Sequence, residues 1–321
     1  MRRVVAGAVL LVAAGVTLAQ AQDYPTKVVR VIVPTTAGGV GDVLARVIGQ
    51  SLSRDWGQSI IVENRPGADE MIGTAAVAKA PADGYTLLVT GSSPIIAAPH
   101  LHAVMQYDPQ KDLTPILILG QITPVMNVPA SLPVKNVQEY IALARSKPGE
   151  LNYGSFGNGT YVHLAMEDFK QRTGTQIQHV PYRGSTPGVT ALLQGEISAL
   201  IVNFGNVAEH AKAGTVRIIA AAGAKRATML PDLPTVAESG VPGFATGSWW
   251  GMFGPANLPK PIVDKIRADV SRALAAPEAR KVFETNTLES VEKTPAEFEQ
   301  FIRENADLWG RQIRAAGIKL E

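Results

Sequence analysis

Cysteine is absent from this 321-residue chain. That excludes disulfides, thiol catalysis, cysteine-held zinc and a lipidated N-terminal cysteine. A chain of this length buries enough surface to do without cross-links. Charge runs and low-complexity segments are also missing, and no long apolar stretch follows residue 18. There is almost no excess of either charge sign, with 30 basic against 28 acidic residues. Arg2 and Arg3 supply that excess, and residues 1–21 contain no acid, so the remainder is formally neutral. The basic pI therefore carries no argument for nucleic acid or a membrane surface as partner.

What is present begins with a leader. Arg2 and Arg3 precede an apolar stretch from Val4 to Leu18, which is signal-like in length and short for a membrane span. Ala19-Gln20-Ala21 reads as a cleavage signal. The expectation is a signal peptide over residues 1–21, cleaved after Ala21, and a periplasmic chain starting at Gln22.

From there strands and helices alternate. Residues 27–33 (KVVRVIV) read as a strand. Residues 41–54 place Val43, Leu44, Val47, Ile48 and Leu52 at helical spacing. Asn136 with Glu139 reads as a helix cap, and Thr186-Pro187 as a cap with proline at the first helical position. Such alternation with short connections predicts an α/β fold with parallel-rich sheets. From Pro261 to Ile318 only helices are expected, one of them opened by Thr294-Pro295-Ala296-Glu297. That tail needs a sheet to cover, and the first unit is short of helices. The chain is thus expected to leave its first domain (22–122), build a second (123–249), and return (250–321). Residues 115–128 and 247–255 read as the two crossing strands of a hinge.

Two stretches share one design. VIVPTTAGGVGD and LNYGSFGNGT each run from strand through a small-residue loop into a helix. Glycine there lets backbone approach a ligand, and the helix start offers free N–H groups and a positive dipole end. Such spots favour an anion and lie at strand ends, where open α/β sheets bind ligands. The candidates are Thr35, Thr36, Gly38, Gly39 and Asp42 on the first loop, and Ser155, Gly157, Thr160 and His163 on the second. Asp42 reads either as a helix N-terminal residue or as a contact for an ammonium group. His163 reads either as a hydrogen-bonded packing residue or as a contact.

Sharper motifs fail. Neither loop has the lysine of a phosphate-binding P-loop, and Gly39-Val40-Gly41 is only part of a dinucleotide fingerprint. YGSFG lacks the first glycine of a nucleophile elbow. His100 and His102 lack further ligands for a metal. The loops supply amides and hydroxyls, suited to holding a carboxylate and poor at breaking a bond. No cofactor or metal is expected, and binding without catalysis is the leading reading. The rival readings are a secreted hydrolase using Ser155 and His163, or a sensory ligand-binding module.

The motifs taken together resemble a known family. YPTKVVRVIVP, IVENRPGADEMIG, DGYTLL, PGELNYGSFGNGTYVHLAMEDF, HVPYRG, KRATMLPDLPTVAESGVPGF and WWGMFGPANLPKPIVDKI are similar to the substrate-binding receptors of tripartite tricarboxylate transporters, the Bug-type receptors. The resemblance implies a two-domain periplasmic binding protein of Venus-flytrap form. It implies a small carboxylated solute in the cleft, its proximal carboxylate held by the two glycine loops. It also implies delivery to a two-component membrane permease, and a monomer is expected. Ser92, Ser93, Asn203 and Phe204 are then expected near the distal end of the ligand. Asn203 reads equally as a turn residue, and Phe204 as a packing residue. Three departures from the family pattern stand out: Thr35-Thr36 before the first glycines, Asp69-Glu70 in place of two glycines, and Ala191 where an Asp is common.

Overall fold

The structure, a computed structural model, describes residues 24–68, 70–182 and 184–317. The leader, its cleavage site, Asp69 and Ile318 lie outside the described residues. Strand β1 (Val29–Val33) leads into helix α1 (Val40–Trp56), then β2 (Ile60–Asn64), α2 (Met71–Ala78) and β3 (Thr86–Gly91). Strand β1 is flanked in parallel by β2 and β3. Helix α1 buries Leu44, Ile48 and Leu52 on the face its spacing predicts. A π-helical turn (Ser93–Ala97) then runs into the one-turn helix α3 (Ala98–Leu101).

Strand β4 (Leu113–Ile122) carries the chain out, and β5 (Pro124–Pro129) opens a second sheet. There follow α4 (Val137–Ser146), β6 (Asn152–Ser155), α5 (Tyr161–Thr173), β7 (Gln178–Pro181), α6 (Ser185–Gln194) and β8 (Ala199–Asn203). A 3-10 turn (Phe204–Asn206), α7 (Ala208–Lys212) and β9 (Val216–Ala221) complete this lobe. Strand β10 (Ser248–Pro255) returns to the first sheet. Helices α8 (Lys260–Ala275) and α9 (Pro277–Asn286), strand β11 (Leu288–Glu289) and helix α10 (Pro295–Ala316) close the chain. The sheet orders are β11-β4-β10-β3-β1-β2 and β7-β6-β8-β5-β9.

Both sheets are mixed. The strand–helix–strand units pair in parallel, but β10 lies antiparallel to β3 and β4, and β5 antiparallel to β8 and β9. The crossing strands enter their sheets directly, without a covering crossover helix, and so run against their neighbours. Two local expectations are corrected. Helix α6 starts at Ser185 behind Gly184, so Thr186 is already helical and is not the cap. The tail contains a strand, β11, whose two residues pair with Gln121 and Ile122. Two residues carry no readable period.

The Asn136 and Thr294 starts form as read. The Asn136 side chain accepts from the Glu139 amide at 2.9 Å. Thr294 and Glu297 make a reciprocal capping box. Where the chain crosses, glycines let the backbones touch. A Cβ on Gly247 would stand 3.0 Å from the Ile122 carbonyl oxygen, and one on Gly223 would stand 2.7 Å from Cγ2 of Thr123. On the return strand the Trp250 indole wedges over Gly41 at the start of α1 and reaches Gly91 at the end of β3.

Each lobe has its own core. Tyr140, Tyr153, Phe169 and Phe244 are fully buried in the second. One face of the first sheet is covered by α10 through Trp249, Phe253, Phe298 and Trp309. Leu164, from helix α5 of the second lobe, is buried in that same cluster. Burying one leucine is worth about 2 kcal/mol, here in favour of keeping the lobes together.

Candidate functional site

A cavity of about 120 Å³ lies between the lobes. Asn158, Gly159 and Thr160, from the loop between β6 and α5, form one wall. Glu70, Ser93, Ala97, Ala98, Leu101 and His102, all from the first lobe, form the other.

The first wall is the start of a 13-residue helix. The first bond of α5 is donated by Leu164 to the Thr160 carbonyl, and no side chain caps the turn before it. The N–H groups of that turn are left open, and the dipole adds partial positive charge at the same place. Thr160 does not cap because its hydroxyl donates to the Gly157 carbonyl at 2.8 Å. Gly157 (φ +124°) and Gly159 (φ +75°) occupy backbone conformations that side chains rarely tolerate, which is why the loop is glycine-rich.

Behind this loop sits a stacked histidine pair. The rings of His163 and His179 are parallel within 9° with centroids 4.0 Å apart, and Tyr153 stacks on His179 at 5.0 Å. The Gly159 amide donates to Nδ1 of His163 at 3.0 Å, so that nitrogen carries no proton. Burial, with the neighbouring His179, pushes the His163 pKa down to about 4. Burial lowers His179 as well. Both rings are neutral at neutral pH and hold the loop by hydrogen bonds rather than charge.

Ser155 completes the bracket. Its hydroxyl lies 2.6 Å from Nε2 of His179, 3.1 Å from the Gly157 carbonyl oxygen and 3.2 Å from the Gly157 amide. Ser155 is fully buried. It presents no nucleophile to the cavity, and its histidine partner is His179 rather than His163. His163 takes the packing role, and His179 is the residue the sequence reading missed. The only outward sign of it was its place in HVPYRG, one strand after the helix that carries His163.

The first loop is built differently. Asp42 is buried, accepting from the Gly38 amide at 2.9 Å and from Arg46 at 3.0 Å. Burial alone would raise its pKa. The hydrogen bonds from Arg46, Gly38 and Asn64 outweigh that and hold the carboxyl below its usual range. Asp42 thus acts as a strut for its own loop. Thr36 and Gly38 are exposed, and Thr35 and Gly39 half-buried. The Thr35 carbonyl accepts from Asn64 at 3.1 Å. None of these five residues lines the cavity.

Of the distal candidates, Ser93 lines the cavity. Ser92 is buried, its hydroxyl 3.2 Å from that of Ser248 at the start of the return strand. Asn203 accepts from the Tyr161 hydroxyl at 3.3 Å, and Phe204 packs on the core of the second lobe. His100 packs against Gly310, whose Cβ would stand 2.7 Å from its ring. Glu70, one of the two departures from the family glycines, does reach the cavity. No group of three or more acidic or histidine side chains is placed to hold a metal ion among the described residues. No helix among them is long and apolar enough to cross a membrane.

Known proteins share this architecture and sequence. The family model for the tripartite tricarboxylate transporter family receptor matches residues 44–318. Protein BugT of Bordetella pertussis is 34% identical over 302 residues, covering 94% of this chain and 93% of that protein. The structure of R. palustris Rpa4515 with adipate superposes with a TM-score of 0.80 at 36% identity, over 92% of this chain and 99% of the other. MatC from Rhodopseudomonas palustris with bound malate superposes with a TM-score of 0.76 at 29% identity, over 90% of this chain and 100% of the other. The family model is that of a receptor. The chain belongs to the tripartite tricarboxylate transporter receptor family.

Proposed function

We propose that the protein is a periplasmic receptor that takes up a small carboxylated solute between its lobes and presents it to a two-component membrane permease. The observation that carries this reading is the uncapped start of α5 forming one wall of an interlobe cavity. A carboxylate there meets open N–H groups and the positive end of a helix dipole. The adipate and malate of the two structural neighbours are ligands of the same chemistry. In this reading the lobes are residues 22–122 with 250–321, and residues 123–249. They close by a hinge at the two crossings. The leader is removed after Ala21, and the receptor works as a monomer.

Thermal melting against a panel of small carboxylic acids tests it. A ligand at 100 times its dissociation constant adds about 2.7 kcal/mol. That moves the melting temperature by roughly 5–10 °C at about 2–4 °C per kcal/mol. The expected result is a shift with at least one acid, which mass spectrometry recovers unchanged. A shift with none, or turnover of the acid that binds, overturns the reading.

A further inference from the structure

The two walls of the cavity are electrically opposite. One is the start of α5, which attracts an anion. The other carries Glu70, whose Oε2 accepts a hydrogen bond from the fully buried Thr90 hydroxyl at 3.0 Å. Thr90 ends that carboxylate's freedom to swing away. Gly91 lies beside it, and a Cβ there would stand 3.8 Å from the same oxygen, in ordinary contact. Glu70 also holds φ +70°, a conformation a non-glycine residue adopts at a cost. His102 also lines the cavity.

Size matters as much as sign. The cavity of about 120 Å³ is slightly smaller than the ~150 Å³ cavity that accepts benzene. It suits a short ligand, on the order of benzene in size. In so short a molecule, the end away from a carboxylate held at the start of α5 lies toward the wall that carries Glu70. A second carboxylate there meets a like charge at close range, and an ammonium meets an opposite one.

We propose that Glu70 selects the distal end of the ligand, and that the preferred solutes are small amino carboxylates rather than dicarboxylates of the same length. This rests on the carboxylate-receptor reading above and adds the chemical class of the second end.

Calorimetric titration of the purified protein with matched pairs tests it: β-alanine against malonate, and γ-aminobutyrate against succinate, with butyrate as the uncharged-end control. The amino acid of each pair is expected to bind at least about tenfold more tightly than its dicarboxylate, roughly 1.4 kcal/mol. Glu70→Gln, which keeps an oxygen for Thr90, is expected to abolish that preference. Glu70→Gly, which relieves the positive φ but leaves the buried Thr90 hydroxyl without its acceptor, should do the same, and its circular dichroism distinguishes loss of fold from loss of selection. His102→Gln should leave the preference in place. Equal or better binding of the dicarboxylates, unchanged in Glu70→Gln, overturns the role of Glu70 and leaves the carboxylate receptor standing. So does a preference that follows His102 instead. Failure of every acid, amino or not, in the unaltered protein overturns the carboxylate reading itself.

Discussion

The Ser155 hydroxyl stands 2.6 Å from Nε2 of His179, 24 residues further along the chain. The contact ties the end of β6 to the neighbouring strand β7 beneath the glycine loop. Ser155→Ala removes it and leaves the half-buried His179 ring without that partner, at a cost of about 1 kcal/mol. Urea denaturation should show that loss. Ligand affinity should fall with it, because the Gly157 amide and carbonyl lose the same hydroxyl. An unchanged unfolding midpoint would remove the serine from the support of the loop.

The histidine pair sets a pH window. The folded pKa of His163 is about 4, against an ordinary value of 6.5. Between those values the unfolded chain binds more protons than the folded one, so stability falls as pH drops from about 6.5 to about 4. Of the charged groups facing the rings, Glu167 favours protonation and Lys170 opposes it. The expected loss is on the order of 2 kcal/mol, allowing for screening by solvent. Melting curves across this range check it. The pair His163→Asn and His179→Gln, which keeps an acceptor for Gly159 and a partner for Ser155, should flatten the dependence.

Asn158→Asp changes one side-chain group and places a negative charge on the anion-favouring wall. Carboxylate affinity should drop at least about tenfold, or roughly 1.4 kcal/mol. The melting temperature without ligand should stay put, because Asn158 is exposed. Binding as tight as before would mean that the α5 end does not face the carboxylate.

Gly41→Ala tests the wedge. The added methyl would stand 2.2 Å from Cζ3 of Trp250, so either the indole or the start of α1 must move. Overpacking of this kind costs about 1–3 kcal/mol. Trimming the partner in a Gly41→Ala, Trp250→Leu double variant should recover part of the loss, a coupling that a double-mutant cycle measures.

What the sequence revealed and what it hid follow from the range of the interactions. Caps such as Asn136 with Glu139 and Thr294 with Glu297 act within one turn and were legible. So were the crossing strands, whose long apolar runs suit no surface loop. Asp42 was readable either as a helix N-terminal residue or as a contact, and only the fold shows its carboxylate turned onto Arg46 and the Gly38 amide. The stack of His163 on His179 joins a helix to a later strand, and no local pattern records it. Glu70 stood out as a break from the family glycines, but its place in the cavity depends on the fold bringing α2 opposite α5. The strand β11 is too short for any period, and its register is set by the edge of β4.

The wedge of Trp250 has an optical consequence. Tryptophan occurs at 56, 249, 250 and 309, and nowhere between 123 and 247. Indole emission is therefore blind to the interior of the second lobe and reads only the first lobe and the strand that returns to it. Two of the four reporters sit side by side at the start of that strand, one buried against the α10 cluster and the other between Gly41 and Gly91. Any movement of one lobe on the other that bends the strand will alter their surroundings, and the unlabelled protein carries its own fluorescent gauge of the motion.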